Sequence, residues 1–545
     1  MLYKRTSRQI RLPRDMIALL LSIFLAAGCG AAQDKAADQQ AGDLKKDTLP
    51  ANILAVQGNF SDELNLRVDS QQISAFFKKF PLLSPLAAEV GSFYNYRSNH
   101  YAWYNRNGLT EQADNLFNHL SNLTQEGVES PVPYLDTLEK LVNDPLAGEP
   151  DANIEILLSA EYLFYAQKVW RGLPEQQTTK LQWYLSRKKM DLPYLADSLL
   201  KDSAASLFSG SFNYRQYNLL KAALKQYRSL DSLGFGKPIP IPASSLRKND
   251  SSKIIPAVRH RLFLLGDLGA DNQSEYYDDS LEAAVKSFQQ RYGLTVDGIM
   301  GKNFIQELNT PPEEYIRKII VNMERSRWIP VSLHDEYLVV NIPAFRLSVY
   351  SDDTVAFSMN VVVGRDIHKT VVFNGNLKYI VFSPYWSVPN SILKKEILPA
   401  IKRDPNYLKR NNMEWYGNSV RQKPGPQNSL GLVKFLFPNS YNIYLHDSPA
   451  KSLFNQTTRA FSHGCIRLAE PKKLAEFLLR NDPSWTSAKI TAAMNRGKEQ
   501  YVTLKNPIPV YIGYLTAWVD TQGRLNFRKD IYKRDRELAD MLIQR

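Results

Sequence analysis

At position 337 the spacing of apolar residues changes, and that change limits the fold more than any other feature of the chain. Before it, apolar residues recur every three or four positions, as in 135–142 (LDTLEKLV) and 157–169, which is helical spacing. After it, β-branched runs at 337–342, 346–350, 355–364 and 378–382 are broken by turns such as Ser351-Asp352-Asp353, which is the pattern of strands. Strands return at 433–437 and 442–445, a helix is expected over 470–480, and late strands at 509–520 and 524–527. The two periods belong to different layers, so the expectation is a multidomain α+β chain with a helical front and a β-rich sandwich or barrel behind. A length of 545 residues points to two to four domains.

The first residues point to export. Residues 1–14 are basic, 16–27 form an apolar run too short to span a bilayer comfortably, and the run ends in Leu25-Ala26-Ala27-Gly28-Cys29. Small residues before a cysteine, behind a basic and then an apolar segment, resemble a bacterial lipoprotein signal. That resemblance implies cleavage of 1–28, lipid on Cys29, and an exported, membrane-anchored protein facing the periplasm; an ordinary secretory signal with an incidental Cys29 is the alternative. Residues 29–50, rich in Ala, Asp, Gln and Lys, read as a tether. There are two cysteines, so an acylated Cys29 leaves Cys465 without a disulfide partner. A lone thiol in an exported protein points to chemistry. The formal charge of +13 suits a polyanion or simple solubility, and no basic run interleaved with aromatics favours nucleic acid, which is not expected as a partner.

Residues 51–250 form the helical scaffold, whose aromatic front (Phe93-Tyr94-Asn95-Tyr96-Arg97, then Tyr101-Ala102-Trp103) reads as core, and 238–250 (PIPIPASSLRKND) as linker. Residues 255–312 form a compact unit. A helix begins at 258–262, a second at 279–292 puts Leu281, Ala284, Val285 and Phe288 on one face, and a third follows at 302–308 after the turn at Asp297-Gly298. This unit resembles the small three-helix peptidoglycan-binding domain of wall hydrolases and transpeptidases; a helical spacer without ligand is the alternative.

The chemistry concentrates in Ser462-His463-Gly464-Cys465-Ile466-Arg467-Leu468, with His446 nineteen positions upstream of the thiol. A thiol becomes a nucleophile when a base takes its proton or a positive field lowers its pKa. His446, at a strand end, is the expected general base once the fold brings it beside Cys465. His463 is expected as site wall or oxyanion support and stays open as the alternative base. Gly464 suits a tight turn that exposes backbone N–H groups. A zinc site made from His446, His463 and Cys465 is the rival. The chain has no Cys-x-x-Cys or His-Glu-x-x-His and only seven histidines, which favours the thiol, and no metal or cofactor is expected.

An upstream histidine, a gap, then Ser-His-Gly-Cys-hydrophobic-Arg resembles the signature of the L,D-transpeptidase (YkuD) catalytic family. The stretches 431–439, 443–447, 361–364, 386–389 and 514–520 resemble its large periplasmic members, which also carry a helical scaffold and a peptidoglycan-binding domain. The resemblance covers about 93–532. It implies a catalytic domain at 336–500 with a capping insert at 390–427, completed by 501–545. It implies attack of the Cys465 thiolate on the third residue of a tetrapeptide stem, loss of D-Ala, and transfer to a neighbouring stem as a 3→3 cross-link. Water in place of that amine gives an L,D-carboxypeptidase, and a protein lysine gives attachment or release of a protein. Backbone N–H groups near Gly464 and Cys465 are implied to hold the oxyanion, with Ser462 and Arg467 bracing the loop. Asp447 stands where many members have glycine; a backbone role tolerates that change, and a side-chain role stays open. Trp386, Asn390 and Tyr444 are implied as substrate-lining residues, with packing as the alternative for each. Carbapenems are implied as covalent inhibitors. A wall-binding protein with an inactive transferase domain is the reading from a different class.

Overall fold

The computed structural model describes residues 65–142, 149–202, 208, 212–330, 335–352 and 354–543. The signal, the tether, Cys29 and residues 51–64 of the scaffold lie outside the described residues.

The scaffold is built around a helix that is apolar on nearly every side, α1 (Ala152–Ala166), and such a helix has to be buried. Asp151 caps it by accepting the N–H groups of Asn153 and Ile154 at 2.7 and 3.0 Å. The aromatic front packs on this helix. Glu155 accepts the N–H groups of Ala102 and Trp103 at 2.6 and 3.0 Å and the Tyr94 hydroxyl at 2.9 Å, while Trp103 Nε1 donates to Ser159 at 2.9 Å. Burial pushes the Glu155 carboxyl up to about 7, against the pull of those donors. The long helix α2 (Gln216–Leu233) buries one face of the same core.

The small unit comprises helices Ile255–Leu264, α3 (Asp279–Arg291) and Lys302–Leu308. Its Asp297-Gly298 turn is held by Gln289. The Gln289 amide accepts the N–H groups of both turn residues at 3.1 and 2.9 Å and donates to Asp297 at 2.7 Å, and Gly298 has φ +69°. Behind it, α4 (Pro312–Trp328) joins the two large cores: Tyr315, Ile319, Ile320 and Met323 enter the helical core, and Val321 and Trp328 enter the β-rich one.

The β-rich part closes on itself. Its strands are β1 (Glu336–Asn341), β2 (Arg346–Ser351), β3 (Thr354–Gly364), β4 (Val372–Phe382), β5 (Val433–Leu436), β6 (Leu445–His446), β7 (Ile466–Leu468) and β8 (Gln500–Gly513). They run in the order β5-β6-β7-β3-β2-β1-β8-β4, and β4 then pairs with β5, completing a barrel-like ring. Closure leaves these strands no open edge. The β6–β7 and β1–β8 pairs are parallel.

Between β4 and β5 the chain leaves the barrel to build an insert. Helical turns over 390–410 cover a three-stranded sheet of Trp386–Ser387, Met413–Tyr416 and Ser419–Gln422, with a small core of its own from Val388, Leu393, Ile397 and Val420. Residues 501–543 divide between two cores. Strand β8 belongs to the barrel, but the hairpin of Ala517–Val519 and Leu525–Phe527 packs on the helical side. There the Phe527 ring lies 4.6 Å from Tyr315 and 5.3 Å from Tyr292. The helix α5 (Arg534–Leu542) returns Leu538 and Ala539 to the barrel core.

Candidate active site

Parallel pairing of β6 with β7 sets the site. Leu445 lies opposite Ile466, and His446 opposite Arg467. Leu445 and Ile466 are fully buried in the barrel core, so the alternation of a strand turns Tyr444, His446, Cys465 and Arg467 to the other face. The half-buried Cys465 follows a turn in which Gly464 has φ +115°, a conformation that favours glycine. Within that turn the Ser462 hydroxyl donates to the Cys465 carbonyl at 2.5 Å and accepts the Gly464 N–H at 3.2 Å. Among the described residues the Cys465 N–H has no acceptor, which leaves it available to a ligand oxygen.

The turn is also held from behind. Thr370 donates its hydroxyl to the Gly464 carbonyl at 2.8 Å and accepts the Gly364 N–H at 2.9 Å. The Tyr532 hydroxyl donates to the Gly364 carbonyl at 2.6 Å and accepts the Thr370 N–H at 3.2 Å. A Cβ on Gly364 would come within 2.0 Å of the His368 carbonyl and 3.1 Å of the Gly464 Cα. The close approach of the two glycines is what lets β3 support the turn.

The Cys465 sulfur lies 3.6 Å from the Asn442 carbonyl, with Tyr444 beside it. Asn439 shapes that loop by donating to the carbonyls of Phe437 and Ile443 at 2.6 and 2.8 Å. Burial pushes the thiol up; the Tyr444 donors and the Arg467 charge oppose burial without overcoming it. For His446 burial is again the main cause, and with Arg467 it lowers the imidazole to about 3. Thiol and imidazole are therefore both neutral near pH 7.

His446 Nδ1 lies 2.5 Å from the Asp447 carbonyl. A carbonyl only accepts, so Nδ1 carries the proton in the neutral ring and Nε2 keeps its lone pair. The Leu430 carbonyl also faces the ring, and no hydrogen bond joins the ring to Sγ. The Asp447 carboxylate is occupied elsewhere. It accepts the N–H groups of Leu432 and Ser448 at 2.9 and 2.7 Å and the Lys451 ammonium at 2.6 Å. Its backbone acts on the histidine and its side chain fixes the loop.

The other sequence candidates are spread out. Exposed His463 meets Glu396 of the insert at 3.3 Å, Arg365 at 3.1 Å and the His368 ring at 5.0 Å, and makes no bond to the sulfur. Tyr444 is at the thiol. Trp386 and Asn390 belong to the insert; half-buried Trp386 packs against its small core and Asn390 is exposed. Arg467 stands beside the thiol and His446 with its Nε buried and unbonded. Among the described residues no group of three His, Cys, Asp or Glu is placed to hold a metal ion. The sequence reading missed Thr370, Tyr532, Asn442, Leu430, Arg365 and Glu396. Most act through backbone groups or across gaps of 23 to 168 residues, which leave no local pattern.

Family comparisons match three segments. Residues 335–490 match the L,D-transpeptidase catalytic domain (YkuD), 88–224 a scaffold domain, and 252–308 a family described as "Putative peptidoglycan binding domain". A Haemophilus influenzae protein named "Putative L,D-transpeptidase" is 32% identical over 243 residues, covering 41% of this chain and 49% of that protein. The chain thus spans about half the length of that curated relative. Among solved structures, an L,D-transpeptidase from Mycobacterium smegmatis aligns at 14% identity and TM-score 0.20, covering 33% of this chain and 58% of that one. One from Stackebrandtia nassauensis aligns at 16% identity and TM-score 0.21, covering 49% and 98%.

Proposed function

We propose that the chain, whose residues 335–490 match the L,D-transpeptidase catalytic domain (YkuD), is a peptidoglycan L,D-transpeptidase working through Cys465. The sulfur attacks the carbonyl of the third stem residue of a tetrapeptide donor. The C–N bond to the terminal D-Ala breaks, the thiol proton leaves on the D-Ala amine, and a thioester remains. The side-chain amine of a neighbouring stem then attacks the thioester, forming the 3→3 cross-link and restoring the thiol.

One observation carries this reading: the hydrogen bond from His446 Nδ1 to the Asp447 carbonyl fixes the tautomer whose Nε2 can take a proton, on the face of the β6–β7 pair that presents Cys465. The thiol is raised and the imidazole lowered, so the proton moves during the attack and not before it. Substrate must first close the gap between sulfur and ring. His463, bonded to the insert, supports the wall of the site. The free Cys465 N–H, with the Gly464 turn behind it, holds the developing oxyanion. Arg467 faces the D-Ala carboxylate, which lies immediately beyond the scissile amide. The insert, touching the nucleophile loop through Glu396 and His463, caps the donor, with Trp386, Asn390 and Tyr444 along its path.

Acceptor choice and anchoring belong to the same proposal. Water as acceptor makes the protein an L,D-carboxypeptidase, and a protein lysine makes it a protein-attaching or protein-releasing enzyme. Export and lipidation at Cys29 rest on the sequence of residues 1–29. No helix among the described residues is long and apolar enough to cross a membrane.

The test is muropeptide mass spectrometry on tetrapeptide-rich sacculi with wild-type and Cys465→Ala protein. New 3→3 dimers made by wild type alone support the transpeptidase, and tripeptides alone mean carboxypeptidase. A carbapenem adduct on wild type that is absent from Cys465→Ala supports the thiol. Equal drug uptake by both proteins would sink the enzyme reading, and loss of acyl-chain labelling in Cys29→Ser tests the anchor.

A further inference from the structure

Three arginines meet where the small helical unit touches the barrel, and no acid stands among them. Arg346 opens β2 and is exposed. Arg459 precedes the short strand Ala460–Ser462 that leads into the nucleophile turn. Its guanidinium donates to the Phe345 carbonyl at 3.2 Å and lies 5.3 Å from the centre of the Phe345 ring, which seats it beside Arg346. Arg528 leaves the second strand of the hairpin. Its guanidinium lies over the Trp518 ring at 5.0 Å and donates to the carbonyls of Arg291 and Phe527 at 2.8 and 2.6 Å. The stem of Arg528 rests on the turn after α3, where a Cβ on Gly293 would come within 2.6 Å of its Cδ. From that turn Thr295 reaches Thr457 at 2.9 Å, so the two modules touch at the foot of the Arg459 segment.

What is missing from this cluster makes it unusual. Several buried arginines elsewhere are answered by carboxylates: Arg97 by Asp197, Arg291 by Asp267, Arg325 by Asp535, Arg327 by Glu324. Here the Nε of Arg459 is buried without a partner, and the charges acting on Arg459 and Arg528 are those of fellow arginines. Burial and that mutual repulsion hold both guanidinium groups at about 10, below their ordinary range, yet still cationic at neutral pH. Concentrating like charge is costly in isolation, and an arriving anion relieves it. Guanidinium forks suit carboxylate or phosphate oxygens in pairs.

We propose that Arg346, Arg459 and Arg528 form an anion site that takes the carboxylates of peptidoglycan stem peptides at the seam between the small helical unit and the barrel. The identity of the ligand rests on the function proposed above. Carboxylates are favoured because the neighbouring unit matches a peptidoglycan-binding family and because Arg459 lies six residues from Cys465 on one continuous segment. A stem held there is kept beside the nucleophile turn, without itself being the reacting donor.

The experiment measures sedimentation of the full chain with purified sacculi. Three substrates are used: native sacculi, sacculi with amidated carboxylates, and sacculi stripped of phosphate polymers by acid. Arg346→Glu is the leading variant because the side chain is exposed; Arg346→Lys retains the charge, and Arg459→Gln gives a second disruption. We expect Arg346→Glu and Arg459→Gln to bind native sacculi about tenfold more weakly, with Arg346→Lys close to wild type. Amidation should weaken wild type by a similar factor and leave Arg346→Glu with no further loss. Stripping phosphate should change nothing. Equal binding by wild type and Arg346→Glu overturns the site, as does an unchanged gap between them on amidated sacculi. Loss of wild-type binding on phosphate-stripped sacculi overturns the choice of ligand. Carbapenem acylation of Cys465 is read on the same samples. If the variants acylate normally while binding is unaffected, the anion site fails alone; if wild type does not acylate, the transpeptidase reading fails.

Discussion

The helical side of the molecule and the open face of the barrel treat buried charge in opposite ways. On the helical side, and along α4, charges come with partners. Arg327, fully buried, is 2.7 Å from Glu324, which also accepts the Leu173 N–H at 2.6 Å and the Trp328 indole at 2.8 Å. Glu126 accepts Lys221 and Tyr217. On the barrel face, Arg467 has a buried, unbonded Nε and stands between a neutral thiol and a neutral imidazole. The contrast teaches where charge is structural and where it waits for a ligand. A buried cation with a built partner holds the fold, and one whose Nε is left unbonded beside the Cys465 thiol is set to meet an anion.

The largest expected effect tests the paired side. Glu324→Gln keeps the shape of the side chain and removes the charge that balances Arg327, so it should cost about 3–5 kcal/mol of stability. Chemical denaturation measures the change. A loss below about 1 kcal/mol would mean that the carbonyls of Val169 and Glu126, which Arg327 also reaches, suffice on their own.

Glu161 is the exception on that side, and it offers the next effect. Its carboxylate is buried with both oxygens unbonded, and burial alone raises it from 4.5 to about 9. The folded value lies above the unfolded one. The carboxyl therefore costs nothing below pH 4.5 and progressively more as the pH climbs toward 9. At 1.36 kcal/mol per unit, the cost at pH 7 is about 3 kcal/mol. Glu161→Met should stabilise the protein by roughly that amount at pH 7 relative to pH 4. A gain independent of pH would show that packing and not ionisation is responsible.

Arg467→Gln sharpens the other half of the comparison. With no built partner to lose, stability should move by less than about 1 kcal/mol, while carbapenem acylation slows about tenfold. The pH dependence has a fixed sign. Arg467 lowers the thiol and lowers His446, so its removal shifts thiol alkylation by a neutral haloacetamide to higher pH and brings the imidazole upward. An unchanged alkylation profile would remove Arg467 from the electrostatics of the site.

The same contrast explains what the sequence made legible. The change of period at 337 yields the helical front and the strands, because local spacing reports which face of an element is buried. The strand reading at 355–364 and 433–437 agrees with β3 and β5 because both carry β-branched or aromatic residues between clear ends. The sequence left sandwich and barrel open, since ring closure depends on β4 pairing with both β5 and β8, a property of tertiary register. Cys465, Gly464 and Ser462 stand in one short stretch and form one turn. The partner of His446 Nδ1 is a backbone carbonyl, which every residue possesses, so no residue type announced it. The division of 501–543 between two cores was hidden for the same reason: Phe527 looks like any strand aromatic until its tyrosine neighbours are known.

The smallest effect probes a residue outside both classes of charge. Thr370 is fully buried, and its hydroxyl links the Gly464 carbonyl to the Gly364 N–H behind the turn that precedes Cys465. Thr370→Val keeps the volume and deletes both bonds, which should cost about 1–2 kcal/mol. If the turn is held only for stability, acylation of Cys465 follows the folded fraction and its rate per folded molecule is unchanged. If the bond to the Gly464 carbonyl also sets the direction of the adjacent Cys465 N–H, the folded variant acylates several-fold more slowly, with drug binding before acylation unaltered. We expect the second result, because Gly464 and Cys465 share that peptide unit and tilting its carbonyl tilts the N–H with it. Stopped-flow acylation across carbapenem concentrations separates the two, and a rate constant equal to that of wild type would confine Thr370 to the fold.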